Sequence, residues 1–376
     1  MDKVALVTNI APHYRAPLWE RLVETDGLDV YFYFGKGIGS IKEIQFEESK
    51  FWKDKSGKIK ILNNKYIKKR LVFQTGFRDS FFLHEWKTII ILGDPNIISN
   101  WIIALYARFK GIPIIFWGHG LYACDKNLKN RIRKMFLSLA NHHLLYGNYA
   151  KSILMESGFN NSEISVVYNS LDYEQALRLR KKSIIPNYFR INNIFKNDNS
   201  VLVFIGRLTP QKKIPLLLEA ANNLKNRDLN FNVLIVGEGE EKNHLFRLAE
   251  KLEIPVYFYG AEYDEIKIAE LLTNSYLCVS PGEVGLTAVH SLSYGTPVCT
   301  HNRYEEQMPE FEAIIEGETG FFYDLEKQNL SLKIEEWFTS KTDREKIREN
   351  CYRVIDTYYN PNYQLKVIRE AINKLI

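Results

Sequence analysis

Short apolar runs of about five residues recur along this chain, most of them closed by glycine or asparagine. They alternate with segments whose apolar positions return every three to four residues. The first pattern predicts strands over residues 4–8, 30–34, 88–92, 112–117, 144–146 and 164–168, and again over 201–205, 231–236, 256–259, 276–280 and 298–300. The second predicts helices from Leu18, over 127–140, up to about 224, about 241–251, about 264–272, up to Tyr294, and about 362–375. Runs that are apolar throughout, with β-branched residues, suit strands covered on both faces. Regular alternation of the two patterns predicts an α/β chain with parallel sheets and helices on both sides. Residues 175–200 break the rhythm: they are polar, rich in Lys, Arg and Asn, and contain Pro186, so they read as a linker. A length of 376 residues fits two domains. No repeat period and no low-complexity stretch is seen.

Candidate chemistry collects where strands end. Residues 201–213, VLVFIGRLTPQKK, deliver Gly206, Arg207 and Lys212 to a loop before a helix. Open α/β sheets place their ligands at the carboxyl ends of strands, and a guanidinium fork with an ammonium point charge suits a phosphate-bearing ligand. Two solvated loop cations are the alternative. Residues 281–285 form a second such turn and open a helix, whose free N–H groups and dipole attract anions. Gly282 and Gly285 leave the approach clear, Thr287 adds a hydroxyl, and His290 follows about one turn later. Together the two loops predict a diphosphate cradle. No D-x-D-type metal site is seen, so no metal and no cofactor is expected. In the first half, the first strand leads to His13, Tyr14 and Arg15, another ends at Asp94, and His119 lies between two glycines where a ligand can approach closely. Gly35 to Gly39 resembles a phosphate loop, but no dinucleotide-binding unit surrounds it, and it reads as a flexible turn.

Composition is that of an ordinary soluble globular chain, 45% apolar and 25% charged. The net charge of +5 is uneven: residues 1–175 hold 24 Lys and Arg against 17 Asp and Glu, and the remainder 26 against 28. Residues 50–70 carry nine cations (Lys50, Lys53, Lys55, Lys58, Lys60, Lys65, Lys68, Lys69, Arg70) against one acid, Asp54. They form either a solvated face or a contact for an anionic surface. In the helix over 127–140, Leu128, Ile132, Met135, Phe136 and Leu139 form an apolar face, with Lys126, Lys129, Arg133 and Lys134 opposite. Such a helix packs on its own domain, and its basic face also suits anionic lipid. Cys124, Cys278, Cys299 and Cys351 show neither metal-site nor disulfide spacing, which points to a reducing cytosol. The first strand begins too early for a signal peptide. The most apolar region, 89–117, is interrupted by Asp94, Asn96, Asn100 and Arg108 and is not a membrane span.

These residues resemble the retaining GT-B glycosyltransferases of family 4, over most of the chain. Gly206, Arg207, Leu208 and Lys212 match the G-R-L-x-x-x-K signature, with Lys213 where a glycine usually follows. Val236 to Gly239 is similar to the V-G-x-G turn, Gly295 to Val298 to G-x-P-V, and Asn169 to Asp172 to N-G-V-D with Ser170 for glycine. His119 aligns with a histidine that closes a strand of the N-terminal domain. One departure concerns the glutamate pair eight residues apart around the anion-binding helix: Gly282 and His290 hold those positions, and Glu283 is one residue off. Glu305, Glu306, Glu310 and Glu312 follow the next strand, and either supply a carboxylate or form a solvated acidic loop.

The resemblance implies GT-B architecture, two Rossmann-like domains facing across a cleft. Residues 1–185 would form the acceptor domain, completed by a helix at about 360–376, and residues 196–355 the donor domain. It implies transfer of a hexose or related sugar, with retention, from a nucleotide sugar to a glycan, the expected acceptors being lipid-linked glycans of surface polysaccharide or lipopolysaccharide assembly at the inner membrane face. Arg207, Lys212 and His119 would carry catalysis. Gly206, Gly237, Glu238, Gly239, Gly260, Glu283, Val284, Gly285, Leu286, Thr287 and His290 would bind the donor. His13, Tyr14, Arg15 and Asp94 would serve the acceptor. A nucleotide-sugar epimerase or hydrolase of this fold, or a non-catalytic nucleotide-sugar binder, is the alternative. Nucleic acid is not an expected partner.

Overall fold

The computed structural model describes residues 1–37, 42–67, 71–121, 128–182, 194–340 and 343–376. Gly39, Lys68, Lys69, Arg70, Cys124, Lys126 and Pro186, named above, lie outside the described residues. The chain divides into two compact units, the first made of Met1–Asp172 with Pro361–Ile376, the second of Tyr173–Asn360.

Unit 1 is built on an eight-stranded sheet of order β4-β3-β2-β1-β5-β6-β7-β8. Its strands are β1 (Asp2–Thr8), β2 (Leu28–Lys36), β3 (Ile59–Ile67), β4 (Leu71–Thr75), β5 (Thr88–Leu92), β6 (Ile114–Gly118), β7 (His142–Leu145) and β8 (Ile164–Val166). All neighbours pair in parallel except β3 and β4. Successive strand residues point to opposite faces, so Val4 and Leu6 join one core and Ala5 and Val7 another. The first core is covered by α1 (Ala16–Val23), through Leu18, Trp19 and Leu22, and by the C-terminal helix α14 (Pro361–Asn373). The second is covered by α4 (Ile98–Lys110) and α5 (Leu128–Leu137). The interrupted apolar region is therefore β5, α4 and β6; Asn100 inside it donates to Leu92 O at 2.8 Å. Among the described residues no helix is long and apolar enough to cross a membrane. The remaining helices of this unit are α2 (Lys50–Asp54), α3 (Arg78–Leu83) and α6 (Asn148–Glu156).

Unit 2 begins with α7 (Tyr173–Lys182) and carries a six-stranded parallel sheet of order β11-β10-β9-β12-β13-β14. The strands are β9 (Val201–Ile205), β10 (Asn232–Val236), β11 (Val256–Gly260), β12 (Leu277–Val279), β13 (Val298–His301) and β14 (Gly320–Tyr323). Helices α8 (Pro215–Lys225), α9 (Lys242–Leu252), α10 (Glu265–Thr273) and α11 (Leu286–Ser293) connect the first five. Helices α12 (Leu330–Thr339) and α13 (Arg344–Tyr358) follow. Three strands depart from the sequence pattern. β3 and β4 form a hairpin in the basic region and β14 closes the second sheet. β3 buries only Leu62 fully and carries Asn63, Asn64 and Lys65, so it offers no apolar run to read.

Both sheets reverse strand order once, at β1/β5 in unit 1 and at β9/β12 in unit 2. Connections leave in opposite directions there, which opens a crevice beyond the strand ends.

Candidate functional site

The reversal point of unit 2 brings together the two loops singled out above. Beyond β9, Gly206 has φ 149°, and a 3-10 turn, Pro210–Lys212, precedes α8. Beyond β12, residues 280–285 lead to α11, capped by Gly285 at φ 53°. Gly282 N donates to Lys212 O at 2.9 Å, and Lys212 Nζ donates to Glu283 O at 2.7 Å. A Cβ on Gly282 would lie 1.9 Å from Gln211 O, so glycine is required by this close approach. Thr287 Oγ1 donates to Ile205 O at 3.0 Å and fixes the start of α11 against the end of β9. Burial lowers the Lys212 pKa, the Glu283 and Glu310 carboxylates pull it back up, and Arg207 pushes it down. Lys212, Arg207, Glu283 and Glu310 thus share one electrostatic neighbourhood beside the α11 N-terminus. Cations and unfilled helix N–H groups can together hold a diphosphate.

The loops beyond β10 and β11 are stitched to the same edge. Gly237 N donates to Gly260 O at 2.8 Å, and Leu208 N to Glu238 O at 2.9 Å. A Cβ on Gly239 would meet Leu208 O at 2.2 Å. Two residues that sequence reasoning missed hold α11 in place. Gln307 Oε1 accepts from Val284 N at 2.9 Å, while its Nε2 donates to Thr300 Oγ1 at 2.8 Å. Glu265, first residue of α10, accepts from Tyr294 Oη at 2.5 Å and meets His290 Nε2 at 2.8 Å. No local pattern marks either one, because both act across the sheet edge. Glu310 corrects the reading of its segment as a solvated acidic loop: Glu305 and Glu306 are exposed, but Glu310 is 4% exposed and lies within reach of Lys212. The short turn Pro309–Ala313 folds it inward alongside Phe311.

In unit 1, Arg15, Asp94 and His119 gather at the carboxyl edge of the sheet. Arg15 is buried and donates to Tyr146 Oη at 2.6 Å, with its guanidinium 5.1 Å from the Trp117 ring centroid. His119 stacks obliquely on Tyr146, 5.0 Å between centroids. Burial, then the Arg15 and Arg133 charges, push its imidazole down to about 4, against an upward pull from Asp94. His119 is therefore neutral near pH 7, able to position a ligand but not to supply charge. His13 is exposed on the same loop, with Nδ1 3.2 Å from Lys42 O.

Helix α5 departs from the two-faced pattern. Arg133, placed on the basic face by periodicity, is buried and donates to Gly120 O at 3.3 Å. Leu128, Ile132 and Met135, placed on the packed face, are exposed beside Lys129, Arg131 and Lys134. Only Arg133, Phe136 and Leu137 turn fully inward. Residues 35–37 are also not the flexible turn expected. A Cβ on Gly35 would stand 2.4 Å from Asn9 O, and Gly37 N donates to Glu43 Oε1 at 3.0 Å. Both glycines line a pocket of about 470 Å³ with Phe34, Ile44 and Phe46. Among the described residues no cluster of three His, Cys, Asp or Glu is placed to hold a metal.

A lysine-bearing loop against a helix N-terminus, at the reversal point of a parallel sheet in one of two Rossmann-like units, is an arrangement that suits a phosphate-bearing ligand. Residues 185–354 match the family model "Glycosyl transferases group 1". The chain is 30% identical over 169 residues to an uncharacterized glycosyltransferase of Methanocaldococcus jannaschii, covering 40% of this chain and 39% of that one. A second uncharacterized glycosyltransferase of that organism is 23% identical over 381 residues, covering 95% and 93%. Among solved structures, the apo form of the lipopolysaccharide outer core galactosyltransferase WaaB is similar over 100% of both chains, at 17% identity and TM-score 0.69. Anabaena HepE in complex with UDP is similar over 100% of both, at 15% and 0.65. The UDP-GlcNAc 2-epimerase from Neisseria meningitidis covers 99% of this chain and 100% of its own, at 15% and 0.57. Over residues 185–354 the chain is similar to the group 1 glycosyltransferases, and its fold is GT-B.

Proposed function

We propose that the protein is a retaining glycosyltransferase that moves a hexose from a nucleoside-diphosphate sugar to a glycan acceptor. The observation that carries this reading is the Lys212 loop set against the α11 N-terminus beyond β9 and β12, with the charge of Arg207 acting on Lys212. As the bond from sugar C1 to the phosphate oxygen breaks, its electron pair leaves with the diphosphate. Fixed cations and helix N–H groups favour that charge more in the transition state than in the ground state. The acceptor hydroxyl forms the new bond to C1 from the face the diphosphate leaves and passes its proton to a phosphate oxygen. The leaving group is thus base and product at once, and the reaction needs no metal. Gly206 and Gly237 to Gly239, with Gly260, frame the base. Neutral His119 orients the reacting sugar or acceptor, and His13, Tyr14, Arg15 and Asp94 serve the acceptor.

The acceptor we propose is lipid-linked, in surface polysaccharide assembly, with unit 1 resting on the inner face of the plasma membrane. The outward side of α5 supports this, since it mixes exposed Leu128, Ile132 and Met135 with Lys129, Arg131 and Lys134 and carries no acid. The family model covers the cation-bearing unit, which favours transfer over the epimerase chemistry found on a similar fold.

The first test is a thermal-shift panel of UDP, GDP, ADP and their sugar conjugates, with Mg²⁺ and with EDTA. One nucleotide should raise the melting temperature in both conditions, because binding stabilises the folded state by mass action. Arg207→Ala and Lys212→Ala should abolish that rise and sugar transfer while leaving the unliganded melting temperature near wild type. Full transfer by either variant would sink the mechanism, and turnover of donor without acceptor would favour epimerase or hydrolase.

A further inference from the structure

We infer that the cavity beyond β2 is a subsite for an uncharged or amino-bearing sugar residue of the acceptor glycan, set back from the reacting hydroxyl, so that the acceptor is an oligosaccharide. The inference rests on the acceptor edge proposed above. The cavity, about 470 Å³, has the size of a small-ligand site. It stands at the carboxyl end of β2 and is walled by Ile44, Phe46 and Ile61. Phe46 is half-buried and stacks on Phe34 at 5.4 Å between centroids, while Ile61, paired with Phe34 across β2 and β3, is 46% exposed. Residues 42–44 are stitched to the loop of His13: Ile44 N donates to Ala11 O at 2.9 Å, and His13 N to Lys42 O at 2.9 Å. One wall of the cavity is therefore held by the loop that carries His13, Tyr14 and Arg15.

The chemistry of the lining selects the ligand. Apolar side chains suit the C–H faces of a pyranose, and carboxylates accept hydrogen bonds from its hydroxyls. Glu43 Oε1 is fixed by Gly37 N at 3.0 Å, and no hydrogen bond of Oε2 is found among the described residues. Glu47 and Glu48 stand exposed at the rim. Among the described lining residues these three acids face one cation, Lys36. Residues 1–175 are basic as a whole, so the cavity is a local exception. A phosphate or a uronate would meet like charge there, which disfavours it. A neutral sugar meets no such penalty, and an ammonium group gains. Distance then sets the length of the acceptor. β2 and β6 are separated by β1 and β5, three strand spacings or about 14 Å. His119 follows β6, so a single pyranose cannot touch both it and the cavity.

The test is NMR on the full chain labelled at isoleucine methyls and histidine rings, with Ile44→Val and Ile61→Val assigning the two cavity signals and His119→Gln the ring. The probes are glucose, maltotriose, cellotriose, triacetylchitotriose, the trisaccharide of glucosamine, and trigalacturonate. At least one neutral or amino trisaccharide should shift Ile44, Ile61 and His119 saturably, and trigalacturonate should shift none of them. Glucose, too short to reach both places, should leave either the isoleucines or His119 unmoved. Glu47→Lys with Glu48→Lys alters only exposed side chains. It should weaken the trisaccharide at least about tenfold, since a hydrogen bond to a charged group is worth about that factor, and should admit trigalacturonate. A merely structural role would not reverse the preference. A panel in which no sugar shifts Ile44 and Ile61, or equal binding by wild type and the double variant, overturns the inference alone. Cavity shifts by a trisaccharide that never reaches His119 overturn its place on the acceptor. A chain that binds a trisaccharide but no nucleoside diphosphate overturns the transfer reading and leaves the cavity a glycan site.

Discussion

Lys212 and Gly282 are tied through the backbone, Gly282 N donating to Lys212 O at 2.9 Å, in a contact so close that a Cβ on Gly282 would stand 2.7 Å from Lys212 C. The loop that carries the cation and the turn that opens α11 therefore move as one body. Gly282→Ala must push them apart. Overpacking of this kind costs about 1–3 kcal/mol, and the displaced lysine should weaken nucleotide binding further. A lowered melting temperature with a reduced nucleotide-induced shift is expected; an unchanged shift would separate the two loops functionally.

Lys213 occupies the left-handed region, φ 49° and ψ 34°, where the family signature usually has glycine. Only glycine adopts that conformation without penalty, about 1 kcal/mol for other residues. The Lys213 Nζ contact to Glu306 at 3.1 Å is partly exposed and recovers little of this. Lys213→Gly should raise stability by up to about 1 kcal/mol, read as a higher denaturation midpoint at unchanged slope.

Three histidines of unit 1 are held neutral by burial: His119 and His142 near 4, and His143 near 3. Their pKa values in the unfolded chain lie near the ordinary 6.5, so between these limits the unfolded state binds more protons. Stability should therefore fall as pH drops from about 6.5 towards 4. His143 lies 1% exposed against Phe116 and Phe159. His143→Leu should flatten the fall in melting temperature over that range. An equally steep fall would move the cause to other groups.

Lys129 and Lys134 sit on the outward side of α5 among exposed apolar side chains. Each cation near an anionic bilayer contributes about 1 kcal/mol. Lys129→Glu with Lys134→Glu should cut co-sedimentation with phosphatidylglycerol vesicles at least tenfold, without lowering the melting temperature. Equal binding by the double variant would remove α5 as the membrane contact.

The central parallel strands were legible because they are buried on both faces and therefore apolar throughout, as in the runs ending at Thr8, Ile205 and Val236. Helix positions, the loop cations Arg207 and Lys212, and the glycines at strand ends were legible for a related reason: each is a local demand of backbone or charge. The outermost strands β3 and β4 were not, since that end of the sheet is only partly buried and needs no continuous apolar run. Nor were Gln307, Glu265, the inward turns of Arg133 and Glu310, and the tight packing of Gly35. Each of these is set by a partner far away in the chain, Val284, His290, Gly120, Lys212 or Asn9. The sequence by itself determined two α/β units and where their charged loops fall, because secondary structure follows short-range periodicity. Only the tertiary structure decided which side chains meet, because the reversal of strand order at β1/β5 and β9/β12 brings together loops that no local pattern connects.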